Sequence, residues 1–514
     1  MRRPSAKIME SGRIRRAVLN FVSSFGLTIV TFLTAFFSSR LVIRYIGDER
    51  FGAFRSLFEL FGYLSLLEGG LALAVRPLFA QSLAKDRGDE VSELMQAAVI
   101  SFRLGMLIAM TVGAILSLVV RRLVPVSPEL SNDLHVASFV MAFGLVNIGF
   151  GPHRTLCEAM QRSFLTNLLL IGQSVCVTIT STLLCFQYPQ WGISIQALSI
   201  TLWVTAFNLI LRKIAIGLRN SIAGADIRTP KLKTSIRELV RNSRDSFVFM
   251  LAGRASIQSN SLILGLFVGQ ADVTKLYATQ RLFDVIQSQL FSVGNASWAA
   301  MAEIYHQGRL DLFVKRIKQL IQLILVMGIA TVVPVCLFNR NFVTLYVGAE
   351  RYGGDKLSVV MAINVIALAF TVFSTWCLTG TGMLKSVMRL TIVTSTLDVA
   401  CTLTFTALLG RIGPVLGSCV VLCLISIPWH FRLLSEHFGL PFRQVIDSNA
   451  RLAIFACFYV AILAWMSSVL TIDTWLKLAL VMGSPSLFFL VSSVLFILDE
   501  DQKTILKQKF GIKR

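Results

Sequence analysis

Apolar runs of about 18–25 residues follow one another along the chain, separated by short polar stretches. The runs are continuous rather than alternating with period two. They therefore predict helices that cross a bilayer and argue against the strands of a membrane barrel. Six spans are expected at 17–39, 52–84, 96–120, 135–158, 164–187 and 192–214. Eight more are expected at 246–268, 275–303, 314–338, 356–383, 387–409, 412–433, 449–471 and 474–498. Glycine and proline interrupt particular spans. Glu68-Gly69-Gly70 breaks the second, Gly149, Gly151 and Pro152 loosen the fourth, Pro334 lies near the end of the ninth, and Gly380-Thr381-Gly382 sits late in the tenth.

Composition agrees with this pattern. The 514 residues are 55% hydrophobic and 15% charged, with a mean hydropathy of +0.70. Ordinary soluble domains carry about 25% charged residues. The net charge of +21 would suggest a nucleic-acid partner in a soluble protein. Here the Lys and Arg gather in alternate loops and both terminal segments, about threefold in excess over the other side, so both termini are expected in the cytoplasm and no nucleic acid as partner. The basic N-terminus leads into a full-length span without a small-residue cleavage site, which reads as an uncleaved first helix. Trp191 and Trp475 at outer boundaries and Trp429 at an inner one fit interfacial anchors. The nine cysteines lie almost all in apolar runs and form no CxxC pair, so they read as reduced packing residues, with no metal site. No cofactor is expected: no G-x-x-x-x-G-K-[ST] motif occurs.

The chain also repeats itself. YIGDERFGAFRSLFELFG, followed by LFAQSLAKDRGDEVSELMQAAV, matches LFVGQADVTKLYATQRLFDVI, followed by AMAEIYHQGRLDLFVKRIKQLI. Each copy has a turn glycine (Gly47, Gly269), then an arginine inside a span with an acid one turn later (Arg55 with Glu59, Arg281 with Asp284), then a second glycine (Gly88, Gly308). The copies begin six spans apart, so they run in the same direction through the membrane, a known transporter architecture.

The segments SSRLVIRYIGDERFGAFRSLFELFGYLSLLEGGLALAVRPLFAQSLAKDRGDE and SNSLILGLFVGQADVTKLYATQRLFDVI resemble the polysaccharide-exporter branch of the MOP flippase superfamily, the Wzx-like lipid-linked oligosaccharide flippases, which are related to MATE transporters. The count of fourteen spans is similar to that of the lipid II flippases of the same superfamily. The resemblance implies an all-α polytopic membrane protein of the bacterial inner membrane, with two six-helix lobes in parallel repeat around a central cavity, two additional C-terminal helices, and alternating access. The corresponding boundaries are a basic arm (1–16), an N-terminal lobe (17–214), a basic linker (215–244), a C-terminal lobe (245–433), the two further helices (434–498) and a basic tail (499–514). It also implies a lipid-linked oligosaccharide as substrate, contact with membrane lipids, and a polymerase and glycosyltransferases of the same pathway as partners.

Candidate site residues follow from cost. An arginine well inside a span costs about 2.5–3.5 kcal/mol on insertion scales, so it faces protein or a wet cavity. Arg55, Arg76, Arg103, Arg254 and Arg281 lie within spans. Arg254 has no acid a turn away and is the leading candidate for an anion contact. Arg55 and Arg281 either pair with Glu59 and Asp284 or offer a planar fork to phosphate, and the two readings coexist. The resemblance to the lipid II flippases implies substrate contact for both. Arg76 and Arg103 sit near inner ends and fit snorkelling to the headgroups. Glu68, Glu59, Asp284 and Asp398 are candidates for a coupling or structural acid. Asn20, Ser24, Thr28 and Thr31 share a face of span one, and Gln258 and Asn260 belong to a polar cluster in span seven. Such residues pack helices or line a cavity for sugar hydroxyls. Three functions remain in view. A flippase for lipid-linked oligosaccharide suits the excess of arginine. A MATE-type cation or drug antiporter favours acids instead, and a glycan polymerase or ligase needs a reactive cluster that the short outer loops lack.

Overall fold

The computed structural model describes residues 6–68, 70–85, 87–221, 247, 253 and 259–496, and no strand occurs among them. Arg254 and Gln258, two of the candidate residues, lie outside these described residues. The chain forms two compact units, Met1–Val273 and Thr274–Arg514. The boundary falls just past span seven, so the described end of that span belongs to the first unit.

Unit 1 contains α1 (Ala6–Ile46), α2 (Asp48–Ser65), α3 (Leu71–Ala84), α4 (Gly88–Leu123), α5 (Ser131–Gly144), α6 (Gly151–Ala159), α7 (Ser163–Gln187) and α8 (Gly192–Asn220). α9 (Gln270–His306) starts in unit 1 and continues into unit 2. Unit 2 adds α10 (Leu310–Tyr346), α11 (Asp355–Gly380), α12 (Leu384–Leu409), α13 (Gly413–Val421), α14 (Ile427–Phe438), α15 (Phe442–Val469) and α16 (Trp475–Phe496).

Ten stretches among the described residues are long and apolar enough to span a membrane. Fourteen spans are expected from the sequence, and the difference has four sources. The second is split between α2 and α3, the seventh falls largely outside the described residues, the eighth (within α9) is too polar, and the eleventh and twelfth merge in Leu384–Phe438. The surface is inverted relative to a soluble protein: Leu118 and Leu408 are 69% and 73% exposed. Such side chains belong in lipid, where helices satisfy their own backbone groups.

The break in span two sits where the glycines predict it. Leu66–Glu68 tighten into a 3₁₀ turn, and Gly70 takes a left-handed φ of 67° before α3 begins. α4 packs so closely on this break that a Cβ on Gly105 would lie 2.9 Å from the Leu67 carbonyl oxygen. Around it, Leu57, Phe61, Val75, Phe79 and Phe102 form the core of unit 1. Span four loosens as expected, passing through a 3₁₀ stretch at Leu145–Phe150 before α6.

The N-terminal end of α8 is held by a buried carboxylate that sequence reading passed over. Asp133, 3% exposed, accepts hydrogen bonds from the backbone N–H of Ile193 (2.9 Å) and of Ser194 (2.8 Å), and from the Ser194 hydroxyl. Those N–H groups are orphans of a helix start, and the negative charge meets the positive end of the helix dipole. Span one is tied to span five in a similar way. Asn20 accepts from the Phe164 N–H at 2.8 Å and donates to the Gln161 carbonyl at 3.1 Å, while Asn167 donates to Ser23 and Ser24. Thr28 bonds back to the Ser24 carbonyl of its own helix.

In unit 2, α12 and α13 meet through small residues. A Cβ on Gly417 would lie 2.6 Å from the backbone nitrogen of Thr402, and one on Gly413 would strike Thr406. This is close packing of the small-xxx-small kind. Beyond α13, Leu422–Ser426 form a π-helical turn ahead of Pro428, which has no N–H to give. His430 Nδ1 lies 2.8 Å from the Ser426 carbonyl oxygen, and its Nε2 lies 3.1 Å from the Thr375 hydroxyl. π-turns of this sort bend membrane helices without exposing a backbone group.

Pro334 does not end its span. It sits inside α10, which runs on to Tyr346. A proline in a helix interior removes the bond to the carbonyl four residues earlier, here that of Ala330. Tyr459 on α15 donates its hydroxyl to that carbonyl at 3.1 Å. Tyr459 also packs against Phe489 of α16, ring centroids 4.4 Å apart. The last two helices are thereby anchored at the proline. Replacing Tyr459 by Phe removes one hydrogen bond and leaves a carbonyl stranded in an apolar setting, with an expected loss of about 1–2 kcal/mol. A thermal melt of the purified protein in detergent reads this as a lowered transition.

Candidate functional site

One stripe of α2 carries Ser56, Glu59 and Tyr63, spaced three and four residues apart and so facing one way. All three hold the described end of span seven, residues 259–267. The Ser56 hydroxyl lies 3.3 Å from the Ser261 carbonyl oxygen and 2.8 Å from the side-chain oxygen of Gln270, at the start of α9. Glu59 accepts from the Ser261 hydroxyl at 2.6 Å and from the Ser261 N–H at 3.2 Å. The Tyr63 hydroxyl lies 2.7 Å from that of Ser259. Beneath them, Gly52 meets the backbone of Gln270 so closely that no Cβ fits. The polar cluster of span seven does not by its own spacing name these partners. The period of the α2 stripe was the signal that could have found them.

Arg55 stands one turn before Glu59 on this seam. Its Nη2 lies 3.4 Å from Glu59 Oε1, and its guanidinium lies 5.9 Å from the centre of the Phe58 ring. The arginine keeps 29% of its side chain exposed against 12% for the glutamate. Glu59 is thus shared between the cation and Ser261, and the guanidinium projects outward from the seam on an acid that the seam itself fixes.

The repeat mate in unit 2 has the same parts in a different arrangement. Arg281 lies over the ring of Tyr277, 5.8 Å from its centre, and Asp284 accepts a hydrogen bond from Gln280 at 2.8 Å. An aromatic ring thus flanks each arginine, on the C-terminal side in α2 and on the N-terminal side in α9. The start of α9 resembles the start of α2. Gly47 and Gly269 precede them with positive φ (82° and 130°), and neither has a neighbour where a Cβ would go. The second glycine pair differs, since Gly308 is left-handed (φ 74°) while Gly88 opens α4. The N-terminal part of α9 is fixed from two sides: Gly353 N–H in the loop before α11 donates to the Thr279 hydroxyl, and Asn339 on α10 donates to the Thr279 carbonyl. Tyr352 in that loop donates to Asp355 at 2.8 Å, and burial pushes its phenol well above the ordinary range.

The other candidates are placed as follows. Asn20 is engaged by the start of α7, which accounts for it through packing. Thr28 is exposed on α1. Asn260 is half-buried in span seven, beside the Glu59–Ser261 contact. Glu68 lies in the break of span two and is half-buried, and Asp398 is buried on α12. Arg76, about half exposed, lies 3.5 Å from Glu158, which Arg154 also approaches at 3.1 Å. Arg103 is exposed.

No family model and no curated protein matches this sequence. Solved structures do match. A lipid II flippase MurJ in an inward closed conformation superposes with a TM-score of 0.73 at 12% identity, over 93% of this chain and 99% of that one. An inward-facing multidrug resistance MATE transporter of the MOP superfamily gives 0.65 at 13%, over 79% and 94%. A MOP superfamily transporter from Pyrococcus furiosus, whose binding pocket has reversed polarity, gives 0.56 at 14%, over 82% and 94%. At these identities the likeness shows the fold alone: the chain folds like the lipid II flippase and MATE structures.

Proposed function

We propose that the protein is a flippase that moves a polyprenyl-pyrophosphate-linked oligosaccharide from the inner to the outer leaflet of a bacterial inner membrane, by alternating access, for surface polysaccharide synthesis. The observation that carries this reading is the pair of repeat-related arginines, Arg55 and Arg281, each beside an aromatic ring and one turn from an acid. A guanidinium held this way offers two parallel donors to a phosphate oxygen pair. A pyrophosphate carries the charge that such groups match, whereas an organic cation does not. The likeness to the lipid II flippase supports the same reading, because it extends over 93% of the chain while the MATE structures leave about a fifth uncovered. The chain acts as a carrier rather than an enzyme in this scheme. Its partners are the lipid-linked oligosaccharide, the surrounding lipids, and the polymerase and glycosyltransferases that use and supply the substrate.

The test is reconstitution. Proteoliposomes receive a fluorescent polyprenyl-pyrophosphoryl disaccharide in one leaflet, and a membrane-impermeant lectin reports its appearance in the other. The expected acceleration over empty liposomes is about a hundredfold or more, since spontaneous passage of a charged headgroup through the hydrocarbon is strongly opposed. Efflux of an organic cation under a sodium or proton gradient, with no movement of the lipid, would establish the antiporter reading instead.

A further inference from the structure

Unit 1 holds a second cluster of cations, apart from the α2 seam. Arg103 on α4, His153 on α6, and Arg212 and Arg219 on α8 line one cavity of about 310 Å³, with Gln96 and Ile100 beside them. No carboxylate is among the lining residues. Other arginines of this unit have an acid beside them, as Arg76 and Arg154 share Glu158. In the cavity, Arg219 donates Nε and Nη2 to the neutral side-chain oxygen of Asn220, at 3.2 and 2.9 Å. Arg103 and Arg212 make no ion pair or side-chain hydrogen bond among the described residues. His153, 7% exposed, lies in the cavity wall beside the three arginines. Three guanidiniums lining one cavity, with no carboxylate among its lining residues, favour an anion there.

The membrane level of the cavity follows from helix lengths. Arg103 lies about twenty residues from the far end of α4, and Arg212 about twenty from the far end of α8, which is about 30 Å of helix in each case. That is one hydrocarbon thickness, so both arginines stand at the opposite boundary, at headgroup level. From the cavity, exposed apolar side chains run toward the membrane centre on both helices, Leu104, Leu107 and Ile108 on α4 and Leu209 and Ile210 on α8. A cationic cavity above two apolar strips matches a molecule with a phosphate head and acyl chains. The geometry points to a binding site for an anionic glycerophospholipid, its phosphate between Arg103, Arg212 and Arg219 and its chains along α4 and α8. Under the topology proposed above, this site faces the cytoplasmic leaflet. Lipid binding can be read without transport, so failure of the flippase reading leaves this inference standing and the reverse also holds.

The experiment is native mass spectrometry of the full-length protein, titrated with phosphatidylglycerol or phosphatidylcholine. The expected result is at least one retained phosphatidylglycerol, bound about tenfold more tightly than phosphatidylcholine. In the Arg103→Gln/Arg212→Gln variant the preference falls to about twofold or less. Arg219→Gln alone reduces it partway, and Arg76→Gln, whose side chain is absent from the cavity lining, leaves it unchanged. Soluble glycerol 3-phosphate does not displace the lipid at equal concentration. Equal retention of the two lipids by the wild-type protein, or an undiminished preference in the double variant, overturns the proposal. Displacement by glycerol 3-phosphate makes the cavity a site for soluble phosphates and overturns its assignment to lipid.

Discussion

Arg281→Ala is expected to lower lipid-linked oligosaccharide transport in proteoliposomes by about a hundredfold, with the thermal transition of the protein nearly unchanged. The magnitude follows from charge-assisted hydrogen bonds of about 1.5–3 kcal/mol each, lost where the guanidinium meets the pyrophosphate. The fold is expected to survive, because Asp284 keeps its hydrogen bond from Gln280 when Arg281 is gone. Arg281→Lys keeps the charge and loses the planar fork, so it should recover only part of the rate. Arg55→Ala is expected to behave differently. Its acid also holds Ser261, so removing the arginine leaves Glu59 with a changed partner set at the seam between span two and span seven. Both transport and melting should therefore fall. Wild-type transport by Arg281→Ala would remove Arg281 from the substrate path and with it the observation on which the proposed function rests.

Gly52→Ala is expected to destabilise the protein by about 3 kcal/mol or more, enough to lose the monodisperse peak in size-exclusion chromatography. The new methyl group would land on the backbone carbonyl of Gln270, and backbone yields less readily than a side chain. Ser56, Glu59 and Tyr63 follow on the same helix, so a shift at residue 52 propagates into every hydrogen bond of the seam. Gly217→Ala provides the control. That glycine is also helical, nothing lies near the added Cβ, and alanine favours the helix by about 1 kcal/mol. Its melt should be unchanged or slightly raised. Equal behaviour of the two variants would mean that α2 and Gln270 are not packed as described.

What the sequence discloses about this protein is mainly what a residue owes to its own helix. The apolar runs give the spans, and Gly69-Gly70 gives the break in the second. The paired turn glycines Gly47 and Gly269 give the repeat, since both take positive φ ahead of a helix. The candidate site was legible to the same extent. Arg55 and Glu59 were paired from their spacing, and they meet at 3.4 Å. Partners far apart in the chain were not legible. Nothing near Asp133 announces that it caps a helix sixty residues on, and the serines of span seven do not name Tyr63, Glu59 and Ser56. The acid beside Arg76 was not legible for the same reason, because it lies on α6. Hydropathy ranks helices by how apolar they are, but a hydrogen bond between two helices depends on register and rotation, which one chain read alone does not carry.

The proline of α10 bears on how this chain could have arisen. The last two helices lie beyond the two six-helix lobes expected from the sequence, which invites the view that they are a detachable addition. The Ala330 carbonyl contradicts this, because Pro334 strips it of its own helix partner and Tyr459 supplies the replacement. A lineage that discards the last two spans while keeping the proline strands a polar group in hydrocarbon. One that first restores an ordinary residue at 334 does not. Loss is therefore ordered, with the proline going before the helices. In this sense Pro334 works as a ratchet, keeping the last two helices in place.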